Sequence, residues 1–166
     1  MNPELKICNK SPHEAPSFAK SGDSGMDLRA WITANDNPSS GECDGINPPV
    51  YGIELKPLER RLIHTGTYLE IPTGYEVQVR PKSGQALKHG LSVLNSPGTV
   101  DQSYRGEICV IAVNLSNESI IIKDGEKIAQ MVLCPVQHEG LVNVMYVPEI
   151  NIDTERGTGG FGHTGV

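Results

Sequence analysis

The chain of 166 residues lacks both a long hydrophobic run and a paired-cysteine motif. No N-terminal segment has the apolar core of a secretory signal, and no stretch is long enough to span a bilayer. The four cysteines, Cys8, Cys43, Cys109 and Cys134, include no C-x-x-C pair, and the last two lie within apolar runs, where a free thiol behaves as a small hydrophobic side chain. We therefore expect a soluble protein of a reducing, cytoplasmic compartment, without a membrane partner.

Positive charge is also scarce. Lysine and arginine together number 14, aspartate and glutamate number 20, and the formal net charge is −6. Nucleic-acid binding normally requires a basic surface, so this balance argues against a nucleic-acid partner. A small anionic ligand remains compatible with the sequence, provided that a metal ion and a few local cations offset its charge.

Helical periodicity is nearly absent, since only residues 85–89 could form a single helical turn. Eighteen glycines and twelve prolines, with 37% hydrophobic residues, indicate many short strands joined by turns. Tyr75, Val77 and Val79 alternate with polar residues, which is typical of a half-buried strand. Because no helices alternate with the strands, the pattern predicts an antiparallel all-β domain, a jelly roll or a related β-barrel.

The remaining predicted elements follow from the same pattern of apolar runs and turn residues. Alternating apolar residues at 5–8 predict an edge strand, and a long polar segment at 33–52 predicts an exposed loop. Further strands are predicted at 53–55, 62–69, 108–115, 119–122, 128–133 and 142–147, with turns at 57, 72–74, 116–118 and 124–125.

The segment 95–108 combines turn residues with side chains that can do chemistry. Its Pro-Gly pair at 97–98 predicts a type II turn in which the glycine takes a positive φ. The loop then holds Asp101 and Tyr104 three residues apart, before a predicted buried strand at 108–113. The exposed backbone of such a loop can also read the edge of a flat ligand. Taken alone, one aspartate and one tyrosine favour an ordinary turn, in which Asp101 caps the turn and Tyr104 packs on the sheet.

The C-terminal segment 156–166 contains five glycines in eleven residues, together with Phe161. Ordering glycine costs more backbone entropy than ordering any other residue, so the segment should be mobile unless a ligand binds it. A core strand would not tolerate these glycines, and a plain linker would not need the phenylalanine. Glycine amides can wrap a phosphate, so we interpret the segment as an arm that closes over a ligand.

Five segments, taken in chain order, resemble the five motifs of the trimeric dUTPase family (deoxyuridine 5′-triphosphate nucleotidohydrolases). They lie at residues 24–28, 81–84, 95–108, 125–130 and 156–165. The resemblance implies a distorted β jelly roll over residues 1–155 and a mobile arm over 156–166. It also implies a homotrimer with three active sites at subunit boundaries, and hydrolysis of dUTP to dUMP and pyrophosphate with Mg²⁺ on the triphosphate.

The resemblance implies a role for each matched residue. Asp101 would be the general base that holds and deprotonates the attacking water, Tyr104 would lie beneath the deoxyribose, and Asp27 would hold the water shell of the metal. The other implied substrate contacts are Asn95 and the backbone of Gly98 and Val100 for uracil; Lys82, Ser83, Gly84 and Gln130 for phosphate; and Arg156, Phe161, Gly162 and Thr164 on the arm.

Three positions depart from the family pattern. Lys82 and Lys127 replace arginines that are usual there, so the charge is kept while planar bidentate geometry is lost. His163 replaces the usual serine beside Thr164. None of the three changes affects Asp101, Tyr104 or Phe161.

Two other functions compete with this interpretation. A dCTP deaminase resembles the dUTPases in fold, although the Asp101 and Tyr104 loop fits the hydrolase pattern better. A non-catalytic, nucleotide-binding regulatory trimer could use the 33–52 loop to contact a protein partner, but pure binding would not require an acid that faces phosphate. A zinc-type deaminase is excluded, because the sequence contains neither H-x-E nor P-C-x-x-C.

Overall fold

Strands dominate the fold in the computed structural model, which describes residues 2–36, 51–137, 140 and 142–159. The chain divides into a first unit, residues 1–136, and a second unit, residues 137–166. The first unit contains these elements in the described residues: β1 Lys6–Asn9, β2 Gly25–Arg29, a short 3-10 helix Ala34–Asp36, β3 Gly52–Leu55, β4 Arg60–Glu70, β5 Tyr75–Pro81, α1 Ser83–His89, β6 Leu91–Val93, β7 Gly98–Val100, β8 Glu107–Asn114, β9 Ile120–Lys123 and β10 Lys127–Pro135.

The strands form three antiparallel sheets, with orders β1-β4-β8-β6, β2-β10-β5-β7 and β3-β9. Each strand pair is antiparallel, which confirms the predicted all-β class. The predicted edge strand is also confirmed, because β1 pairs only with β4 among the described strands. No helix in the described residues is long and apolar enough to cross a membrane.

The core lies between the sheets and is built from inward-facing residues, which alternate with outward-facing residues along each strand. In β5, Val77 and Val79 are buried whereas Gln78 and Arg80 are partly exposed, as the period-2 pattern predicts. Leu28 of β2 is also fully buried in the same hydrophobic cluster. Burial of one such side chain stabilises the fold by about 1.5–3 kcal/mol, so the sheets are held together mainly by these contacts.

Asn114, at the end of β8, is a polar side chain that is fully buried in the core. Its Nδ2 donates hydrogen bonds to the backbone oxygens of Leu55, at 2.9 Å, and Glu118, at 2.8 Å. Its Oδ1 accepts from Ser116 N and Ser116 Oγ, both at 2.8 Å. All four hydrogen-bonding positions of the amide are therefore used, which is the condition for burying it without a large penalty.

Strand β4 is interrupted by a bulge, where its register against β8 shifts between Ile63 and Thr67. Gly66 lies in this bulge with a φ of 67°, and a Cβ there would come within 2.6 Å of Ser11 N. Only glycine accepts this conformation without strain. The bulge leaves the N–H groups of Thr65 and Gly66 outside the ladder, and both donate to the Glu107 carboxylate of β8.

Three sequence predictions about local structure need correction. Gly98 does not have the positive φ of a type II turn, because it lies in β7 opposite Val79, where pairing requires extended backbone. The helix is longer than predicted, since α1 begins at Ser83. Residues 142–147 form no strand, and their side chains are exposed, with Tyr146 at 97%. Alternating apolar residues form a strand only where a neighbouring strand offers hydrogen-bond partners.

The predicted loop at 33–52 is only partly described. It contains the short helix Ala34–Asp36, and its last residue, Gly52, begins β3. Residues 37–50 of the prediction lie outside the described residues.

Candidate active site

Strand pairing in the second sheet brings a group of charged and polar side chains together, here called the charged cluster: Asp27, Lys82, Lys127 and Gln130. Asp27 of β2 lies opposite Gln130 of β10, and β10 also pairs with β5, whose last residue precedes Lys82. Lys82 Nζ contacts Asp27 Oδ1, and Lys127 Nζ lies 2.7 Å from Asp27 Oδ2. Residues far apart in sequence therefore meet at one carboxylate.

The electrostatics of the charged cluster favour an anionic ligand. Partial burial raises the pKa of Asp27, but the Lys127 and Lys82 ammonium groups outweigh burial and hold that pKa below its usual value. The carboxylate is therefore ionised at neutral pH, and two cations share one anion. The positive charge in excess lies beside the first residues of α1, Ser83 and Gly84, which are exposed.

The position of Gln130 depends on a glycine in the neighbouring strand. A Cβ on Gly25 would lie 2.3 Å from Gln130 Oε1, so any larger residue would push this amide away. Gln130 Nε2 donates a hydrogen bond of 2.9 Å to the backbone oxygen of Pro81. The amide is thus held over the end of β5, next to Lys82.

The segment after β6 forms a second feature, a cavity of about 310 Å³ here called the hairpin cavity. Its wall contains four predicted site residues, Asn95, Val100, Asp101 and Tyr104. The rest of the wall consists of Leu62, Thr99, Glu107, Ile108, Cys109 and Ile111. Gly98 lies alongside, since a Cβ on it would be 3.1 Å from Asn95 Nδ2. The structure thus brings Asn95, Gly98, Val100, Asp101 and Tyr104 together around one cavity.

Tyr104 is held in place at both ends. Its backbone N–H donates to Asp101 O at 3.0 Å, and its hydroxyl donates to Glu107 O at 3.0 Å. A Cβ on Gly106 would lie 2.3 Å from the Tyr104 hydroxyl, so a glycine is required at that position for the ring to lie where it does. The ring is still 46% exposed, which leaves a face available to a ligand.

The two features are neighbours along β5 but do not share a surface within the described part of one chain. Strand β7 pairs with β5 at Val77–Val79, whereas Lys82 follows the end of β5. At about 3.3 Å per residue, the three residues from Val79 to Lys82 span about 10 Å. No member of the charged cluster lines the hairpin cavity. A larger depression, of about 980 Å³, lies between α1 and residues 116–126, and its described lining contains none of the predicted site residues.

The predicted arm residues fall in the second unit or outside the described residues. Arg156 is exposed, and its Nε donates a hydrogen bond of 2.9 Å to Gly159 O. Phe161, Gly162 and Thr164, together with His163, lie outside the described residues, so their predicted roles stay predictions.

Glu107 was missed by the sequence prediction, although it supports the hairpin cavity. Its Oε1 accepts from Gly66 N at 2.7 Å and from Thr65 N at 3.0 Å, and its Oε2 lies 2.9 Å from His64 Nδ1. Burial raises the pKa of Glu107, but the Gly66 N–H, His64 and the Thr65 N–H outweigh it and leave the pKa below its usual value. The partners are more than forty residues away in sequence, so no local motif indicated the contact.

Comparison with known proteins identifies the family. The dUTPase family model matches residues 50–165. The chain is 46% identical over 162 residues to the deoxyuridine 5′-triphosphate nucleotidohydrolase of Finegoldia magna, with 98% of this chain and 99% of that protein covered. The protein of the same name from Cytophaga hutchinsonii is 44% identical over 165 residues, which cover 99% of this chain and 94% of the relative. The chain belongs to the dUTPase family.

Solved structures agree on the fold of this dUTPase family member. The dUTPase of Staphylococcus bacteriophage 80alpha with dUPNHPP superimposes with a TM-score of 0.77 and 22% identity, covering 98% of this chain and 99% of that chain. The resemblance to the dUTPase family is confirmed by the family model and by the relatives. It extends before the matched range, since the relatives also cover the segment that contains Asp27.

Proposed function

We propose that this chain hydrolyses dUTP to dUMP and pyrophosphate. The observation that carries the proposal is the hairpin cavity of about 310 Å³, whose wall contains both Asp101 and Tyr104. Membership of the dUTPase family and the nearby charged cluster support the same reaction. Asn95 and the arm residues remain part of the proposed substrate site.

In the proposed reaction, Asp101 accepts a proton from a water molecule that attacks the α-phosphorus of dUTP. The new P–O bond replaces the bond to the bridging oxygen, and pyrophosphate leaves. Phosphoryl transfer needs little covalent work from the protein, so positioning and charge neutralisation supply most of the catalysis. A single carboxylate within hydrogen-bond reach of the water is sufficient as a general base.

Sugar and base selection follow from the rigidity of the hairpin. Tyr104 is fixed by its hydrogen bonds to Asp101 and Glu107, so its ring would leave no space for a 2′-hydroxyl. The backbone at Gly98 and Val100 would read uracil. Cytosine would be rejected because it presents an amine where uracil presents an acceptor, whereas exclusion of the thymine methyl group contributes only about 1–3 kcal/mol.

The charged cluster would receive the triphosphate. Lys82 and Lys127 supply cationic groups, Ser83 and Gly84 are exposed beside them, and Gln130 lies across the end of β5. Binding of the triphosphate would draw the ammonium groups partly away from Asp27. The excess of cations over anions makes this exchange favourable.

A role for Mg²⁺ is consistent with the same residues. Each oxygen of Asp27 is engaged by one lysine, and a carboxylate has about four acceptor positions, so each oxygen could still accept a bond from metal-bound water. Mg²⁺ commonly keeps several waters and binds to a carboxylate together with substrate phosphates. We therefore propose that Asp27 holds hydrated Mg²⁺ through water, and that the ion neutralises charge on the triphosphate. A phage phi11 dUTPase of similar fold is described with a structural Mg(II) ion, at 19% identity and a TM-score of 0.68.

The complete site is proposed to form in a homotrimer. The hairpin cavity and the charged cluster are separate features of one chain, so a substrate could span both if they came from different subunits. The arm, residues 156–166 beyond a β domain of 1–155, would close over the ligand through Arg156, Phe161, Gly162 and Thr164. Sedimentation equilibrium should give three times the 17.9 kDa mass of the chain. A monomer with full activity would contradict the shared site.

The reaction is tested by measuring pyrophosphate release from dUTP, dCTP, dTTP and UTP. We expect release from dUTP alone at physiological concentrations. Release of ammonia from dCTP would instead indicate a deaminase, and tight binding without turnover would indicate a regulatory nucleotide-binding protein. The cellular location proposed for this activity is the cytoplasm, in keeping with free Cys8, Cys109 and Cys134 among the described cysteines.

A further inference from the structure

Three side chains behind the hairpin form a compact group with three different donor types. His64 of β4, Glu107 of β8 and Cys109 of β8 each offer one ligand atom, and these atoms lie within 4.8 Å of one another. His64 Nδ1 is 2.9 Å from Glu107 Oε2 and 3.7 Å from Cys109 Sγ. All three residues are partly buried. The dUTP reaction proposed above uses none of the three side chains.

We propose that His64, Glu107 and Cys109 form a binding site for a borderline-soft divalent cation, with Zn²⁺ as the preferred ion. Imidazole and thiolate donors favour zinc, whereas Mg²⁺ and Ca²⁺ require oxygen donors. The site is therefore distinct in chemistry from the Asp27 site proposed for hydrated Mg²⁺. It does not depend on the proposed reaction.

The observed spacing suits tetrahedral coordination. Zinc bond lengths of about 2.0–2.3 Å at a tetrahedral angle place nitrogen and oxygen ligands about 3.4 Å apart, and nitrogen and sulfur ligands about 3.6 Å apart. The corresponding distances here are 2.9 Å and 3.7 Å, so these two pairs need to shift by about half an ångström or less, while the Glu107 and Cys109 ligand atoms lie within 4.8 Å of each other. Such a shift is small for a histidine side chain that is 43% exposed.

The backbone already orients Glu107 for this role. The N–H groups of Thr65 and Gly66 both donate to Oε1, so Oε2 is the oxygen left for His64 or for a metal. Hydrogen bonds of this kind to a ligating carboxylate fix its orientation and tune its affinity for the ion. The bulge in β4 supplies both N–H groups, and the same bulge places His64 beside β8.

Three protein ligands leave one coordination position open. Glu107 and Cys109 both line the hairpin cavity, so water can reach that position. Binding breaks the Sγ–H bond of Cys109, forms the Sγ–metal bond and releases the proton to solvent. Neutral His64 ligates through Nδ1, in place of its hydrogen bond to Glu107.

Glu107 connects the site to Tyr104, which lines the same cavity. The Tyr104 hydroxyl donates to the backbone oxygen of Glu107, so a metal that fixes Glu107 would also restrict the ring. We therefore expect the metal to reduce hydrogen exchange in the hairpin, residues 98–107. This effect is a consequence of the site and not a condition for it.

Co²⁺ provides the direct test, because thiolate coordination gives it a sulfur-to-metal charge-transfer band and tetrahedral geometry gives intense visible bands. Metal-free protein, kept reduced, is titrated with Co²⁺ and then with Zn²⁺. We expect one equivalent of Co²⁺ per chain, both sets of bands, and their loss as Zn²⁺ displaces the cobalt. Absence of the charge-transfer band at saturation would overturn the proposal.

A matched pair of variants assigns the sulfur ligand. Cys109→Ser and Cys134→Ser make the same change at two partly buried cysteines, but only Cys109 belongs to the group. We expect the band to disappear in Cys109→Ser and to persist in Cys134→Ser. Persistence in Cys109→Ser, or loss in Cys134→Ser, would show that a different thiol binds the ion.

A third variant tests the site independently, in case Cys109→Ser fails to fold. His64→Gln changes a side chain that is 43% exposed, so the fold should tolerate it. It keeps the thiol but removes the imidazole, and the Co²⁺ affinity should fall roughly tenfold or more. Unchanged affinity in a folded His64→Gln protein would contradict the three-residue site.

Discussion

Asp27 and Asp101 are both aspartates at the proposed substrate site, but their surroundings differ. The Asp27 carboxylate is 23% exposed and is paired with Lys82 and Lys127. The Asp101 side chain is exposed, and within the described residues no hydrogen bond or ion pair reaches its carboxylate. The same side chain therefore serves as a fixed counter-ion in one place and as a free acceptor in the other.

This difference separates two tasks that a phosphate-cleaving site has to perform. A carboxylate that anchors two cations keeps them in position before the anionic substrate arrives, and each of its oxygens is already engaged by one lysine. A carboxylate without partners can bind and deprotonate water, since nothing competes for the proton. Substitutions at the two positions should consequently change different kinetic constants.

The largest effect is expected for Asp101→Asn, which keeps the shape of the side chain and removes the base. We expect kcat to fall by roughly 10²–10⁴, while the affinity for a non-hydrolysable dUTP analogue stays nearly unchanged. Steady-state kinetics and calorimetric titration measure the two quantities. Asp23→Asn, at an exposed residue away from the hairpin cavity, is the control. Near-normal turnover in Asp101→Asn would mean that another group activates the water.

The next effect concerns the cations held by Asp27. Lys127→Met removes one ammonium group and leaves Lys82 as the remaining partner of the carboxylate. Because a hydrogen bond to a charged group contributes about 1.5–3 kcal/mol, the affinity for the dUTP analogue should fall about tenfold or more. Lys127→Arg, which keeps the charge, should retain most of the affinity. If Lys127→Met lowered kcat and left binding unchanged, the assignment of separate tasks would be wrong.

A smaller effect is expected when the Tyr104 ring is displaced without being removed. In Gly106→Ala the added methyl group would overlap the Tyr104 hydroxyl, so the ring has to move. The ratio of kcat/KM for dUTP over UTP should fall by roughly tenfold, the range expected for a contact of about 1–3 kcal/mol. Ser119→Ala, at an exposed residue that does not line the hairpin cavity, is the control. An unchanged ratio would mean that another residue excludes the 2′-hydroxyl.

The smallest effect is on stability, at the Glu107 carboxylate beneath the hairpin. Its folded pKa lies below the ordinary value of 4.5, so its contribution is present above that value and is lost as the pH falls through the folded pKa. We expect metal-free Glu107→Gln to be about 1–3 kcal/mol less stable than wild type at pH 7. The difference should shrink in acid, as measured by denaturant unfolding between pH 7 and pH 3. Glu149→Gln, at an exposed residue, is the matched control.

The sequence predicted those parts of the fold that depend on local pattern. Val77 and Val79 alternate with polar residues and face the protein core. They lie in β5, which pairs with a strand on each side. Alternation at 142–147 predicted a strand wrongly, because the pattern contains no information about whether a neighbouring strand exists. Gly98 was likewise assigned from turn statistics, although its pairing with Val79 decides its conformation.

The residues of the candidate site also divide into those that local sequence predicts and those that depend on the pairing of distant strands. Asp101 and Tyr104 are three residues apart, and the loop that holds them was evident from the sequence and its resemblance to the family. The pairing of Glu107 with His64 depends on the register of two long strands, which no local motif specifies. The attachment of Lys127 to Asp27 was similarly hidden, because it follows from the way β2 and β10 align.

The buried side-chain amide of Asn114 offers a way to measure the global opening of the first unit by hydrogen exchange. Its two Nδ2 protons are bonded to the backbone oxygens of Leu55 and Glu118, and the side chain is inaccessible to water. These protons can exchange with deuterium only when the segments around them separate. Because the amide joins β3, β8 and the turn before β9, its exchange rate should track the most cooperative opening of the first unit. A single side-chain resonance would therefore report the global opening equilibrium, free of the local fraying that affects backbone amides at the sheet edges.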